Sequence, residues 1–453
     1  MKNTAVSYIN EKSQELMDLS KKIWDQPELA FEEVYSSKLL ADYLKDEGFE
    51  VELNYAKLPT AFRASWGSGK PIIGFLGEYD ALPGMSQKVS GKKEAIREGA
   101  PGHACQHNLL GVAHLAAAIG LKKELEEKNL SGTIVFYGCP AEETLTGKGF
   151  MAREGAFREL DLSFAWHPGA SNMVSLGSMA AMNTAKFHFK GITAHAGADP
   201  HNGRSALDAV ELMNVGANYL REHVTDDVRI HYTITNGGLA PNIVPDKASV
   251  WYYVRALSRE AVEDTYVRLL KVANGAAMMT ETEVEVEFMG GCYNTMQNKV
   301  LVELVHEAME TVERPRWTEE ELEFAEGLNA GLGKGSAGLD KADSSLKSTV
   351  DPVSTIEMYS STDVGDVQHI APGVTFLTVT SNSEAAGHSW HNTACGGHSI
   401  GHKGMLYGAK VMALAAMKIY EEPGIAEAAK KEFEQTMVGQ DYVCPMEGIQ
   451  LPV

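Results

Sequence analysis

The residue types best suited to chemistry are most concentrated in the segment GHACQHN (102–108). Cys105 and His107 are two positions apart, so a turn or an extended chain can direct both side chains toward one centre. A thiolate and a neutral imidazole are both good zinc ligands. The alternatives are a nucleophile with its base and an ordinary buried turn. An apolar run follows and predicts a helix, whose N-terminus would lower the pKa of Cys105 and favour its thiolate.

Two further segments end predicted strands with groups that bind metals or transfer protons. In CPAEETLTGKG (139–149) the carboxylates Glu142 and Glu143 follow a strand, and in LSFAWHPGAS (162–171) His167 does the same. Open α/β sheets form their ligand sites at the carboxyl ends of strands. Adjacent carboxylates there are costly unless they have a cation or a proton to share. We expect one to bind a metal and Glu142 to take a proton from water; a solvated loop is the alternative.

A fourth segment, GHSWHNTACGGHSIGHKGM (387–405), contains four histidines. His398 and His402 are four positions apart on a predicted helix, where they can either chelate a metal or cap and pack. Each of the four segments is a weak signal alone. Together they predict a hydrolase with two metal ions.

The elements that must position these groups alternate between helix and strand. Apolar residues at Ile9, Leu16, Leu19 and Ile23 predict a helix in the first segment, and GTIVFYGCP (132–140) predicts a buried strand. This alternation predicts an α/β domain whose mixed sheet is flanked by helices.

A different pattern begins near residue 183. The segments there read strand, helix, strand, strand, helix, strand, which is the order of a ferredoxin-like α+β domain. Because the first pattern resumes after residue 294, we predict a catalytic domain from 1–182 and 295–453 and an inserted lid domain from 183–294. The Gly-, Ser- and Asp-rich stretch 326–345 predicts a long loop.

Composition excludes several classes of function. The formal net charge of −21 disfavours nucleic acid and anionic membranes as partners. No apolar run approaches the roughly 20 residues that span a bilayer, and the N-terminal segment is polar, so we expect a cytoplasmic protein. The five cysteines are sparse and odd in number, which argues against a disulfide framework.

In their order along the chain, these motifs resemble those of the M20 family of metallopeptidases and amidohydrolases, and within it the aminoacylase-type branch with a Cys-x-His metal motif. The resemblance covers nearly the whole chain, and its closing motifs resemble those of aminobenzoyl-glutamate hydrolase B subunits and β-alanyl-lysine dipeptidase-like proteins. Besides the segments already quoted, the motifs are WDQPELAFEE (24–33), GEYDALPG (77–84), KGITAHAGADPHNGRSALDA (190–209), PNIVPD (241–246), YYVRAL (252–257) and STDVGDV (361–367).

The resemblance implies a role for particular residues. Two divalent ions are implied, with zinc expected and manganese or cobalt as the alternatives. Cys105 would bridge the two ions. His107 and His167 would complete the coordination of one ion, and Glu143 and His388 would complete that of the other. Glu142 would be the general base, and Asp80 would be the carboxylate that orients a ligand histidine. His195 would donate to the oxyanion, in this family often across a dimer interface. Asn242 and Arg255 would bind the substrate carboxylate.

The chain departs from the family pattern at three positions in these motifs. Gln106 replaces the usual Gly between two ligands and is expected to affect metal affinity more than metal identity. Glu78 replaces Asp. Asn108 stands where the auxin-conjugate hydrolases have Asp and matches the aminobenzoyl-glutamate group instead.

The resulting expectation is a cytoplasmic, homodimeric amidohydrolase that cleaves an N-acyl or aminoacyl amino acid, such as an aminobenzoyl-glutamate-like conjugate. A dipeptidase acting on β-alanyl or basic dipeptides is the alternative within the family. A thiol hydrolase using Cys105 and a non-catalytic binding relative are the alternatives from other classes.

Overall fold

The computed structural model describes residues 3–330, 346–382 and 386–451. The strands are β1 (Glu50–Leu53), β2 (Phe62–Ser68), β3 (Ile72–Glu78), β4 (Gly132–Cys139), β5 (Leu162–Gly169), β6 (Met173–Val174), β7 (Ala181–Lys190), β8 (Arg229–Asn236), β9 (Lys247–Ala256), β10 (Glu283–Cys292) and β11 (Gly373–Val379). The helices are α1 (Thr4–Glu11), α2 (Ser13–Asp25), α3 (Val34–Asp46), α4 (His107–Lys128), α5 (Gly147–Arg153), α6 (Ala206–Leu220), α7 (Arg259–Thr280), α8 (Lys299–Thr311), α9 (Glu319–Ala330), α10 (Val364–Gln368), α11 (Trp390–Gly396), α12 (Ser399–Glu421) and α13 (Gly424–Thr436).

The larger sheet carries the predicted mixed α/β architecture. Its seven strands lie in the order β1-β2-β4-β3-β5-β11-β6. The central strands β4, β3, β5 and β11 run parallel, and β2 and β6 pair antiparallel at either side of them. The parallel strands are mostly apolar because helices cover both faces, and polar residues such as Glu78 and His167 lie near their carboxyl ends. Helices α4 and α12 pack side by side, and α4 lies against β3 and β5, so it is buried almost all round.

The first predicted helix is two helices in the structure. Lys12 (φ −84°, ψ 1°) separates α1 from α2, although i→i+4 hydrogen bonds still connect Lys12 to Tyr8 and Leu16 to Lys12. The apolar stripe that predicted the helix nevertheless lies in the core.

The smaller sheet has the predicted ferredoxin-like arrangement. Its four antiparallel strands lie in the order β10-β7-β9-β8, which leaves β8 at one edge. Helices α6 and α7 cover one face, and residues alternate along β9 between the helix side and the opposite side. Arg255 lies on the face away from the helices.

The prediction of a loop over 326–345 is wrong for residues 326–330. Residues 326–330 form the end of α9, whose Ala325 and Leu328 are buried on one face at helical spacing. Residues 331–345 lie outside the described part of the chain. Within the described part, no helix combines the length and apolarity needed to cross a membrane.

Candidate metal centre

The predicted metal ligands converge at the carboxyl edge of the larger sheet. Asp80 follows β3, Glu142 and Glu143 follow β4, and His167 lies near the end of β5. Helix α4 starts at the same edge and carries His107 in its first turn. Neighbouring parallel strands end side by side, so residues far apart in sequence meet there.

His107 is oriented by a carboxylate. Its Nδ1 lies 2.9 Å from Asp80 Oδ1, and Asp80 Oδ2 accepts a 2.8 Å hydrogen bond from the backbone N–H of Glu143. Burial would raise the pKa of Asp80, but His107 holds it below its usual value. The remaining ring nitrogen, His107 Nε2, is buried without a hydrogen-bond partner. This is the arrangement in which a carboxylate selects the tautomer of a metal-binding histidine.

Cys105 belongs to two clusters of possible metal donors. One contains Cys105, His107 and His167, the other Cys105, Glu143 and His388, and within each cluster the donor atoms lie within 4.8 Å of one another. Cys105 Sγ is 3.4 Å from His167 Nε2, and Glu143 Oε2 is 3.5 Å from His388 Nε2.

These distances fit tetrahedral metal coordination. Bonds of about 2.0–2.3 Å place two donors on one zinc ion about 3.3–3.8 Å apart. Glu143 Oε1 is also buried without a hydrogen-bond partner, as expected for an oxygen whose partner is a metal ion. The donor set of one thiolate, imidazoles and a carboxylate suits zinc. The residues present therefore fit a pair of ions that share Cys105.

The electrostatics of the centre correct one expectation. Burial, and after it the Glu143 carboxylate, raise the pKa of Cys105 far above its usual range, so the helix N-terminus does not produce a free thiolate. Burial likewise raises the pKa of Glu143 to about 8 and lowers that of His167 to about 4. His167 is thus a neutral imidazole, with its Nδ1 2.7 Å from the Pro168 carbonyl and its Nε2 facing Cys105.

A strained turn presents Glu142 and Glu143 together. Ala141 and Leu145, which flank the single 3₁₀ turn Glu142–Thr144, both have left-handed conformations (φ 58° and 57°). Glu142 is buried, and its Oε2 lies 3.8 Å from His107 Nε2. Burial, and then the Glu78 carboxylate, raise its pKa well above the usual value. Such strain persists where surrounding contacts demand it, and here it places two carboxylates at one centre.

The four histidines of the fourth segment have different environments. His388 lies beside Glu143 on the cavity wall, and its own φ is 52°. The His391 ring contacts the Trp390 ring at a tilt of 31°, and His398 accepts a hydrogen bond from the Ile400 N–H at the start of α12. His402 is half-buried on α12 outside the cavity lining.

We expect His388→Ala to lose most activity and part of the bound metal, because it removes the imidazole nearest Glu143. His402→Ala serves as the matched control and should retain both. Zinc content and initial hydrolysis rates of the two variants measure the difference. Full activity in His388→Ala together with a loss in His402→Ala would mean that the wrong histidine was chosen.

Gln106 connects the metal motif to the segment that carries His388. Its backbone is left-handed (φ 63°), a conformation that favours Gly. Its side-chain amide donates to the Asn392 carbonyl (2.8 Å) and accepts from the Thr380 hydroxyl (2.6 Å). The side chain therefore bonds to Thr380 and Asn392, which lie on either side of His388 in the sequence.

The chain brings Arg255 to the centre but leaves His195 and Asn242 apart. Arg255 lines the same cavity, of about 610 Å³, as Cys105 and Glu142, donates 2.9 Å to Ser361 Oγ, and leaves its Nε buried and unpaired. Asn242 precedes Lys247, which begins β9 at the end opposite to Arg255. At the usual rise of a strand, Lys247 and Arg255 are about 26 Å apart. Exposed His195 lies at that same end, because the Ala196 N–H donates to the Asn242 carbonyl.

The sequence reasoning missed two charged residues beside the centre, Lys148 and Asp363, and recorded Glu78 only as a departure from a motif. All three are buried, and Lys148 forms an ion pair with each of the two carboxylates. The available signals were the lysine shortly after the paired glutamates and the unassigned aspartate in STDVGDV (361–367).

Two clusters of possible metal donors, with the buried carboxylate Glu142 and Arg255 on the wall of the same cavity, are the kind of site that metal-dependent hydrolases have. Comparison with known proteins supports the same class of protein. The family model of the peptidase dimerisation domain, M20_dimer, matches residues 181–277. The chain is 40% identical to the B subunit of p-aminobenzoyl-glutamate hydrolase from Escherichia coli (strain K12), over 96% of this chain and 95% of that protein. It is 29% identical to the human Xaa-Arg dipeptidase over 99% of this chain and 95% of that protein.

Solved structures show the same fold. The aminobenzoyl-glutamate utilization protein from Klebsiella pneumoniae superposes with a TM-score of 0.64 at 17% identity, covering 93% of this chain and 100% of that one. The YXEP protein of Bacillus subtilis, described as a dinuclear metal binding peptidase, superposes with a TM-score of 0.60 at 20% identity, covering 91% and 99%. The chain belongs to the M20 family, and it is a hydrolase of amide or peptide bonds.

Proposed function

We propose that this protein cleaves the amide bond between an acyl or aminoacyl group and an amino acid that bears a free carboxylate, with two divalent ions at the centre. The observation that carries the proposal is one cavity lined by Glu142, Arg255 and members of both donor clusters, namely Cys105, His167, Glu143 and His388. The donors and the guanidinium lie on walls of the same space, so a scissile amide and a carboxylate can be bound together.

The ligands we assign are Cys105, shared by the two ions, with His107 and His167 for one ion and Glu143 and His388 for the other. Zinc is the ion we propose, since a thiolate and imidazoles favour it over harder ions. When bound, the ions supply an acidified water and polarise the scissile carbonyl. Asp80 holds the His107 ring in the tautomer that leaves Nε2 free.

Glu142 performs the proton transfers. Its carboxylate takes the proton of the attacking water and returns it to the leaving amine, which otherwise departs as a poor anionic leaving group. Because both steps use one oxygen, the amine nitrogen must come within hydrogen-bond reach of the same carboxylate. The cavity position of Glu142 next to His107 Nε2 supports this role.

Arg255 is the proposed ligand of the substrate carboxylate. Burial lowers its pKa, yet the group remains a cation at neutral pH and has an unpaired Nε. Among the described lining residues, carboxylates occur only at the metal centre, as Glu78, Glu142 and Glu143. A basic side chain on the amine side would find no counter-ion beside Arg255, so an acidic or neutral residue is favoured there.

Substitution of Arg255 by Ala should raise KM by about 10- to 100-fold for substrates with a free α-carboxylate, the worth of a charge-assisted hydrogen bond. The same substrates carrying an α-carboxamide should change little, which makes them the internal control. Steady-state kinetics on both series measure the difference. Equal losses on both would remove the carboxylate-binding role.

The substrate class is tested by assaying purified, zinc-loaded protein against a panel of substrates. Relative kcat/KM values for p-aminobenzoyl-glutamate, N-acyl amino acids, β-alanyl-lysine and Xaa-Arg dipeptides should rank the acidic conjugates first. The relative at 40% identity supports that ranking, and the Xaa-Arg dipeptidase relative supports the alternative. Preference for the basic dipeptides would overturn it, and turnover of neither class would favour a binding relative.

We also propose a homodimer assembled through the lid domain, with domain limits of 1–182 and 295–453 for the catalytic part and 183–294 for the lid. Edge strand β8 exposes the apolar Tyr232 and Ile234 together with unpaired backbone groups. The remote position of His195 and Asn242 adds a reason, since the lid of a partner can bring these two residues to a cavity. We also propose a cytoplasmic location. The net charge of −21 supports the further proposal that nucleic acid and anionic membranes are not partners.

A further inference from the structure

Three buried charged side chains form a connected group beside the donor clusters. Glu78 at the end of β3, Lys148 in α5 and Asp363 before α10 are 2%, 0% and 0% exposed. Lys148 Nζ lies 2.6 Å from Glu78 Oε1 and 2.5 Å from Asp363 Oδ1. The backbone N–H of Lys148 also donates 2.8 Å to Asp363 Oδ2. One cation and two carboxylates leave a net charge of −1 in a dry environment, which is costly without a further cation.

The second oxygen of Glu78 indicates where that cation belongs. Glu78 Oε2 is buried without a hydrogen-bond partner and lies 3.5 Å from His107 Nε2, which has no partner either. Two unpaired donors at this separation match neighbouring ligands of one ion, which lie about 3.3–3.4 Å apart for nitrogen and oxygen. Glu78, His107 and Glu142 also form a cluster whose donor atoms all lie within 4.8 Å of one another.

The two carboxylates of this cluster differ in how they are held. Glu78 Oε2 is closer to His107 Nε2 (3.5 Å) than Glu142 Oε2 is (3.8 Å). Glu78 is also tied by its other oxygen to Lys148, whereas within the described part of the chain no ion pair with Lys or Arg holds Glu142. A ligand must be held in place, and a base must reach both water and amine. Glu78 therefore suits the ligand role and Glu142 the proton transfer.

We propose that Glu78 is a further metal donor, whose Oε2 binds the ion held by His107. Lys148 is a positioning residue that holds Oε1, so that only Oε2 faces the centre, and Asp363 holds Lys148. The proposal rests on the two-ion centre described above, and it adds a carboxylate to the Cys105, His107 and His167 set. The ion at His107 should consequently be the more tightly bound of the two.

The test measures metal binding, not turnover. Zinc-loaded full-length protein is equilibrated with a graded series of chelators, and bound zinc per chain is determined for each. Glu78→Gln keeps the size of the side chain and removes the charge. It should weaken the binding of one zinc ion by at least about tenfold and leave the affinity for the other ion unchanged. Cobalt-substituted protein should show an altered visible spectrum in the same variant, since a donor has been lost.

A second variant separates the donor role from charge alone. Glu78→Asp retains the carboxylate, but the side chain is one methylene shorter. One oxygen therefore cannot contact Lys148 while the other reaches the ion held by His107. It should therefore weaken the same ion, and it decides the question if Glu78→Gln does not fold.

Glu124→Gln is the matched control. Glu124 is likewise a buried glutamate, paired at 2.8 Å with Lys128 and accepting from the Ala5 N–H, but it lies outside the cavity lining. It should retain both affinities. Unchanged zinc affinities in both Glu78 variants, or an equal loss of both ions, would overturn the donor role. Loss of one ion in a protein that hydrolyses none of the panel substrates would support the donor role while overturning the proposed function.

Discussion

Glu142→Gln is expected to lower the rate of amide hydrolysis by a factor of about 100 to 10,000, the usual contribution of a general base. Glutamine preserves the shape of the side chain but cannot accept a proton from water. Glu142 lines the cavity, and its Oε2 is 3.8 Å from His107 Nε2, so the change removes the proton acceptor that we propose for the reaction. Zinc content and substrate affinity should stay close to those of the native enzyme. Single-turnover rates and elemental analysis of the same preparation measure both quantities.

The neighbouring carboxylate provides the control. Glu143→Gln should reduce the occupancy of one ion, because Glu143 Oε2 lies 3.5 Å from His388 Nε2 within a donor cluster. The two variants thus separate loss of proton transfer from loss of metal. If Glu142→Gln turned over at nearly the native rate, the water mechanism would be wrong and a thiol mechanism through Cys105 would have to be considered again.

Cys105→Ser should remove both ions together, leaving well under two per chain. Cys105 is the residue shared by the cluster with His107 and His167 and the cluster with Glu143 and His388. A serine hydroxyl is a much harder and far less acidic ligand than a thiol, so it does not replace a bridging thiolate. Hydrolysis should fall in proportion to the lost zinc. Elemental analysis after gel filtration, with activity measured on the same fractions, provides the test.

Cys395→Ser is the matched control, because Cys395 is also a free cysteine but is buried and does not line the cavity. It should retain its zinc and its activity. Full occupancy of both sites in Cys105→Ser would contradict the bridging role. Protection of Cys105 from iodoacetamide by zinc would further separate a metal-dependent hydrolase from a thiol hydrolase, for which added metal should give no protection.

The sequence by itself determined what depends on local patterns. Hydrophobic periodicity predicted the alternating helices and strands and the order of the inserted sheet, because burial on one face imposes a period of 3.6 or 2. The short spacing between Cys105 and His107 and the adjacency of Glu142 and Glu143 fixed the groups that must lie together. The break at Lys12 and the extension of α9 beyond residue 326 were missed, because small backbone adjustments and packing against distant residues carry little local signal.

Only the tertiary structure decided which distant groups meet. It joined Glu78 to Lys148 and Asp363, and it brought His388 within 3.5 Å of Glu143, the residue with which the family resemblance had already paired it. Ion pairs and metal geometry depend on distances of a few ångströms between strand ends, and those distances follow from how the sheet is assembled, not from any single segment. For the same reason the pKa of Cys105 follows its burial and the nearby Glu143 carboxylate, both products of the folded chain, and not the helix that begins beside it.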